Sequence, residues 1–174
     1  MLSKLTVLAC ARHLVSCALL ALTLAASPAA GADDELLRAL PAYATAFDTG
    51  RDPQADLVAA RAGAAAAGHR VLVMVGGDWC VWCFLLDRHL KMDPEAARLV
   101  YGGFEVLRVY YGDDNTNQDF LARFPEFHLF PHFFVVDSAG SVLASIDADV
   151  IIGDARYDTA LIRELVHQWG PASR

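Results

Sequence analysis

An apolar run, Arg70-Val71-Leu72-Val73-Met74-Val75, stops at Gly76-Gly77, and three residues later comes Cys80-Val81-Trp82-Cys83. No other stretch constrains the fold as tightly. Consecutive apolar residues rich in valine and bounded by glycine are the pattern of a strand buried on both faces, which needs helices above and below it. Trp79 to about Lys91 has helical character, so the cysteines fall where a buried strand hands over to a helix. Two cysteines at this spacing admit three readings: a redox couple, half of a metal site, or a small structural disulfide.

The rest of the chain supplies the layers. Asp52-Pro53 opens a helix that runs through alanine-rich sequence to Gly68, with proline at a first helical position and glycine at the end. Asp93-Pro94-Glu95 starts another, ending near Gly102-Gly103, and Phe104 to Tyr111 is the next strand. A short capped helix precedes Pro125. The strands His132–Val136 and Ser141–Ile146 are joined by Asp137-Ser138-Ala139-Gly140, a hairpin signal. Tyr157 to Trp169 is an amphipathic helix with Leu161, Ile162, Leu165, Val166 and Trp169 on its apolar face. This order predicts an α/β fold, a central mixed sheet with helices on both faces, in one domain without internal repeats.

The N-terminus has a different character. Lys4, Arg12 and His13 precede an apolar run from Leu14 to Ala26, and Ala30-Gly31-Ala32 is a small-residue exit. That pattern predicts a secretory signal peptide over residues 1–32. An uncleaved anchor is the alternative, although the run is short of the roughly 20 residues a span needs. Leu14-Val15-Ser16-Cys17 is not a lipidation box, because the apolar run follows the cysteine. Residues 33–51 read as a polar lead-in with a short helix at Glu35–Leu40, and 52–174 as the domain proper. Cleavage removes Cys10 and Cys17 and leaves 12 basic against 21 acidic side chains, a charge of −9. Such an excess argues against nucleic acid or anionic membrane as partners. An exported protein, periplasmic or extracellular, meets oxidising surroundings in which a lone cysteine pair cycles or is oxidised.

At the start of a helix, free N–H groups and the dipole favour an anion, so the Cys80 thiolate is expected to form below the free thiol value of about 8.5. Cys83, one turn on, is expected to be more shielded. An accessible thiolate attacks a partner's disulfide, and its neighbour resolves the mixed disulfide. Trp79 is expected to shape the site, and Trp82, between the cysteines, to form an apolar landing pad for a partner protein. Asp87 lies one turn beyond Cys83, as a helper base or as a solvated carboxylate.

"DWCVWC" after an apolar strand, followed by "LFPHFFVVDSAGSVL", resembles the thioredoxin superfamily over roughly Asp52 to Trp169. More narrowly, it is similar to exported thioredoxin-like proteins akin to the C-terminal domain of the transmembrane thiol:disulfide interchange reductase. The resemblance implies that Cys80 is the nucleophile and Cys83 the resolving thiol. It implies a cis Phe130–Pro131 bond facing the cysteines, and a groove, lined by Phe130, that receives a client's extended segment. It also implies thiol–disulfide exchange with client proteins, without a cofactor, and electrons from a membrane thiol reductase. Two departures stand out. Val81-Trp82 replaces the family's Gly-Pro, and the strand Val71–Val75 lacks a buried acid, with Met74 about where it would be.

Three competing readings remain: a non-catalytic client-binding module, a copper site using Cys80, Cys83 and His132, and an ordinary buried His132. A structural zinc site is disfavoured by the lack of a second cysteine pair or of closely spaced histidines after residue 32. Serine-triad and phosphate-loop chemistries have no motif here.

Overall fold

A computed structural model of the protein describes residues 35–171. The expected signal segment lies outside them. A short helical turn, α1 (residues 35–38), is followed by α2 (Ala42–Thr45), α3 (Pro53–Ala67), β1 (Arg70–Gly76), α4 (Val81–Met92), α5 (Pro94–Gly103) and β2 (Phe104–Tyr110). Then come α6 (Gln118–Leu121), β3 (His132–Val136), β4 (Val142–Asp147), a 3-10 turn (Ala148–Ile151), β5 (Ile152–Gly153), β6 (Arg156–Tyr157) and α7 (Thr159–Trp169). The main sheet has the order β2-β1-β3-β4, with β1 and β2 parallel and the other pairs antiparallel. This is the mixed sheet read from the sequence.

Local chemistry sets the element ends. Asp52 caps α3 by accepting from the Gln54 N–H at 2.9 Å, and Gly68 closes it at φ 72°. A left-handed residue there is cheap only for glycine. The hairpin turn forms as expected: Asp137 accepts from the Ser141 N–H at 2.8 Å, and the Arg61 guanidinium donates to the Ser138 carbonyl at 2.8 and 3.0 Å.

Alternation along the strands divides the core in two. Leu72, Met74, Phe104, Val106, Tyr110, Phe133 and Val135 face α4, α5 and α7, meeting Leu86, Leu90, Val100 and Ile162. Val71, Val73, Val75, Leu107, Val109, Phe134 and Val136 face α3 and α6. Each fully buried large side chain stabilises the fold by about 1.5–3 kcal/mol. The alanines Ala60 and Ala64 are fully covered, so the alanine-rich helix is a close-packed one.

Three features differ from the sequence reading. The segment before residue 52 is part of the domain: Pro41 ends the first helical turn but also caps α2, and Ala44 and Phe47 enter the α4-side core. The last helix starts at Thr159, because Asp158 takes an extended conformation and caps it, accepting from the Ala160 N–H at 2.7 Å. Tyr157 therefore belongs to a small hairpin, β5–β6, whose turn residues Asp154 and Ala155 both have positive φ. Among the described residues, no helix is long and apolar enough to cross a membrane.

Candidate redox site

The parallel strands β1 and β2 end side by side, with Gly76 opposite Tyr110. Such strand ends are where an α/β sheet places its chemistry. Beyond β1 the chain turns, the Cys80 N–H donating to the Gly77 carbonyl at 3.1 Å, and α4 begins. Cys80 is the N-cap of α4, in extended conformation, and its Sγ accepts from the Cys83 N–H at 3.1 Å. A sulfur thus fills the place usually taken by a serine or aspartate oxygen.

Cys80 and Cys83 are joined as a disulfide, with Cα atoms 5.2 Å apart. An accessible Cys80 and a shielded Cys83 were expected, yet the two are 5% and 3% exposed. The asymmetry lies in their settings: Cys80 caps the helix, and Cys83 points at the backbone of β1. A Cβ on Gly76 would stand 2.5 Å from Cys83 Sγ and 3.1 Å from the Phe47 ring, so only glycine lets the sulfur approach this closely. The surface around the disulfide is apolar, with Trp79, Val81, Phe84 and Leu129 each more than half exposed.

The sequence-derived residues take distinct places. Trp79 donates its ring N–H to the Tyr111 carbonyl at 2.7 Å and meets the Phe130 ring edge-on at 5.1 Å. Phe130 stacks on Tyr111 at 5.2 Å and contacts Phe127 at 5.6 Å. The Phe130–Pro131 bond is cis. Because Val75 pairs with His132, Pro131 lies level with Gly76, at the end of the sheet that carries the cysteines. Trp82 lines one groove with Leu129, Phe130, Pro131, Ile152 and Tyr157. The Tyr157 hydroxyl donates to the Trp82 carbonyl at 3.0 Å, and its ring meets Trp82 edge-on at 5.9 Å. Burial pushes the Tyr157 phenol well above its ordinary range, so it remains a donor.

Asp87 is not a free carboxylate. It lies 2.5 Å from the guanidinium of Arg108, which is buried on β2. Arg108 also donates to the Ala44 carbonyl at 2.8 Å and to the Tyr101 hydroxyl at 3.2 Å, and it stands over the Phe47 ring at 5.3 Å. Burial works against its charge, and the neighbouring Tyr101 and Asp87 more than offset it.

His132 is not brought to the cysteines. Its ring packs against Phe127 and Phe134, on the α3 side of the sheet, and its nitrogens meet Asp147 at 2.9 Å and Ser145 at 2.8 Å. Burial lowers its pKa, opposed by the hydrogen bond and charge of Asp147. Among the described residues, no group of three or more histidines, cysteines or acids is placed to hold a metal.

Arg108, Tyr111 and Tyr157 were missed in the sequence. Arg108 had a signal, since strand alternation puts it on one face with Phe104, Val106 and Tyr110. Tyr111 directly follows a strand parallel to the one leading to the cysteines. Tyr157 had no usable signal, because the apolar pattern placed it in the last helix.

No curated protein sequence matches this chain. A disulphide isomerase from Xylella fastidiosa Temecula1 is similar in structure, with TM-score 0.59 and 23% identity over 74% of this chain and 95% of that one. The C-terminal domain of DsbD from Neisseria meningitidis, in the oxidised form, gives TM-score 0.50 and 19% identity over 70% of this chain and 98% of that one. These likenesses establish a shared fold. The profile of the thioredoxin-like family matches residues 52–138, from the cap of α3 through both cysteines and the cis-proline into the hairpin turn. The chain belongs to the thioredoxin-like family.

Proposed function

We propose that this protein is an exported thiol–disulfide oxidoreductase that acts on client proteins as a reductase or isomerase, with Cys80 as nucleophile and Cys83 as resolving thiol. The observation that carries the reading is the Cys80–Cys83 disulfide at the first turn of α4, with the Cys83 N–H directed at Cys80 Sγ. Once the pair is reduced, that donor and the helix dipole favour a thiolate at Cys80. The thiolate attacks one sulfur of a client disulfide, and the client's other sulfur leaves as a thiolate and takes a proton. Cys83, after losing its proton, attacks Cys80 Sγ in the mixed disulfide. The client's second thiol is released and the Cys80–Cys83 bond re-forms. Two electrons pass to the client, and a dithiol donor, such as a membrane thiol reductase, must return them. The groove beside Trp82, Phe130 and Pro131 suits an extended client segment, with Trp79 and Phe130 bracing its wall. The names of the structural neighbours, a disulphide isomerase and a DsbD domain, support this class of chemistry.

The test is trapping. Reduced Cys83→Ser, incubated with a disulfide-bonded peptide, should accumulate a covalent Cys80–peptide adduct visible by non-reducing mass spectrometry, and Cys80→Ser should not. Equal adduct formation by both variants, or none by either, would overturn the assignment.

A further inference from the structure

Among the described residues, the buried polar or charged side chains are Asp56, Arg108 and His132. Asp56 is held by Arg51 at 2.5 and 2.6 Å, and His132 by Asp147 and Ser145. Arg108 is different. It stands on the sheet face that carries the cysteines, and its Nη1 has no hydrogen-bond partner. A buried guanidinium with an unsatisfied N–H is costly to keep, and an apolar residue of similar size is often as stable or more so. The core alone does not account for it.

Its position relative to the cysteines does. In register Arg108 is opposite Met74, two residues before Gly76 on the same face of β1. Phe47 connects the two levels: its ring lies under the guanidinium and also abuts the point at Gly76 that Cys83 Sγ approaches. On α4, Asp87 is one turn beyond Cys83, and its carboxylate is the one that Arg108 holds. An unpaired carboxylate at that distance would disfavour thiolates at the cysteines, and an unpaired buried cation would favour them. Together they nearly cancel. The other titratable groups around this part of the core are Tyr101 from α5, Tyr110 from β2, Tyr157 from β6 and, at its edge, Tyr43 from α2. Asp78, in the turn before Cys80, is exposed.

We propose that Arg108 is a positioning residue for the exchange reaction: its buried guanidinium holds and neutralises the Asp87 carboxylate one helical turn beyond Cys83, so that no uncompensated negative charge faces the cysteine thiolates. The proposal rests on the disulfide-exchange reading above. In this arrangement Asp87 acts as a charge partner, and the Cys83 proton leaves to the client thiolate or to water.

The test is the pH profile of thiol alkylation in the full chain, reduced with a phosphine and quenched with iodoacetamide. The readout is the tryptic peptide of residues 71–88, which carries both cysteines and neither Cys10 nor Cys17. Arg108→Met should move the onset of reactivity up by about 0.5–1 pH unit, and Asp87→Asn should move it down. The double variant should return close to the parent, and Arg108→Lys should stay near it. A purely structural role would shift both single variants the same way or neither, and either result would overturn the proposal. If Arg108→Met does not fold, a lowered onset in Asp87→Asn with Arg108→Lys near the parent supports the proposal, and an unchanged or raised onset in Asp87→Asn overturns it. Alkylation reports thiolate formation whether or not the pair equilibrates with glutathione, so this proposal and the redox reading can fail separately.

Discussion

On the α3 side of the sheet, Val71, Val73, Val75, Leu107, Val109, Phe134 and Val136 form an interior of hydrocarbon and aromatic rings. Its polar neighbours have partners close by: Arg51 for Asp56 on α3, Tyr43 for Glu105, and Asp147 and Ser145 for His132. On the α4 side, the alternate residues of the same strands share their core with a disulfide, with a glycine that a sulfur nearly touches, and with an arginine lacking one hydrogen bond. Strand periodicity gives both faces the same stabilising pattern. The difference between them is that the disulfide, the glycine that admits its sulfur and the arginine with an unpartnered Nη1 all stand on the α4 side.

The comparison is broken most severely by removing a ring from the α3 side. Phe134→Ala should cost about 3–5 kcal/mol of stability, read by urea unfolding, because Phe134 is fully buried. The potential of the cysteine pair in the folded fraction should not move, and a displaced potential would mean that the two faces are not separable. Gly76→Ala tests the other face. Its Cβ would overlap Cys83 Sγ and press on Phe47, so a cost of about 1–3 kcal/mol is expected together with a changed rate of disulfide closure. Loss of stability with unchanged closure would show that the sulfur relocates freely.

The smallest effect sharpens the contrast through pH. Burial lowers the His132 pKa below 6.5, outweighing the opposing pull of Asp147. The unfolded chain therefore takes up this proton at higher pH than the folded one does. The contribution of His132 to stability is complete above about pH 6.5 and is lost as pH falls towards the folded value. Between pH 7.5 and 5.5 the free energy of urea unfolding should fall more for the parent than for His132→Asn, by a difference under about 1 kcal/mol. A steeper fall in the variant would reverse the sign of the argument.

Much of this was legible in the sequence, and unevenly so. The valine run with its glycine stop gave β1. The Asp-Pro pairs gave the starts of α3 and α5, and Asp137 to Gly140 gave the hairpin, because each rests on local chemistry that tertiary contacts only reinforce. The β5–β6 hairpin was hidden, since its turn uses Asp154 and Ala155 at positive φ instead of the usual Asn-Gly. Phe47 and α2 were hidden because a segment of mostly polar or small residues can still deliver one ring into a core. At the site, the cysteines and tryptophans were visible as residue types in a pattern. The cis bond at Pro131 came from family resemblance alone. The Arg108–Asp87 pair joins residues 21 apart in sequence, one on α4 and one on β2, and only the tertiary fold brings them together.

The most direct measurement is the reduction potential of the Cys80–Cys83 couple in the purified chain. The couple would be equilibrated with glutathione at fixed ratios and read by thiol trapping on the peptide of residues 71–88. A reversible two-electron transition is predicted, between about −270 mV, typical of a reductant, and about −120 mV, typical of a disulfide donor. A pair that stays oxidised or stays reduced across the whole glutathione range would contradict the account and leave a client-binding module with inert cysteines.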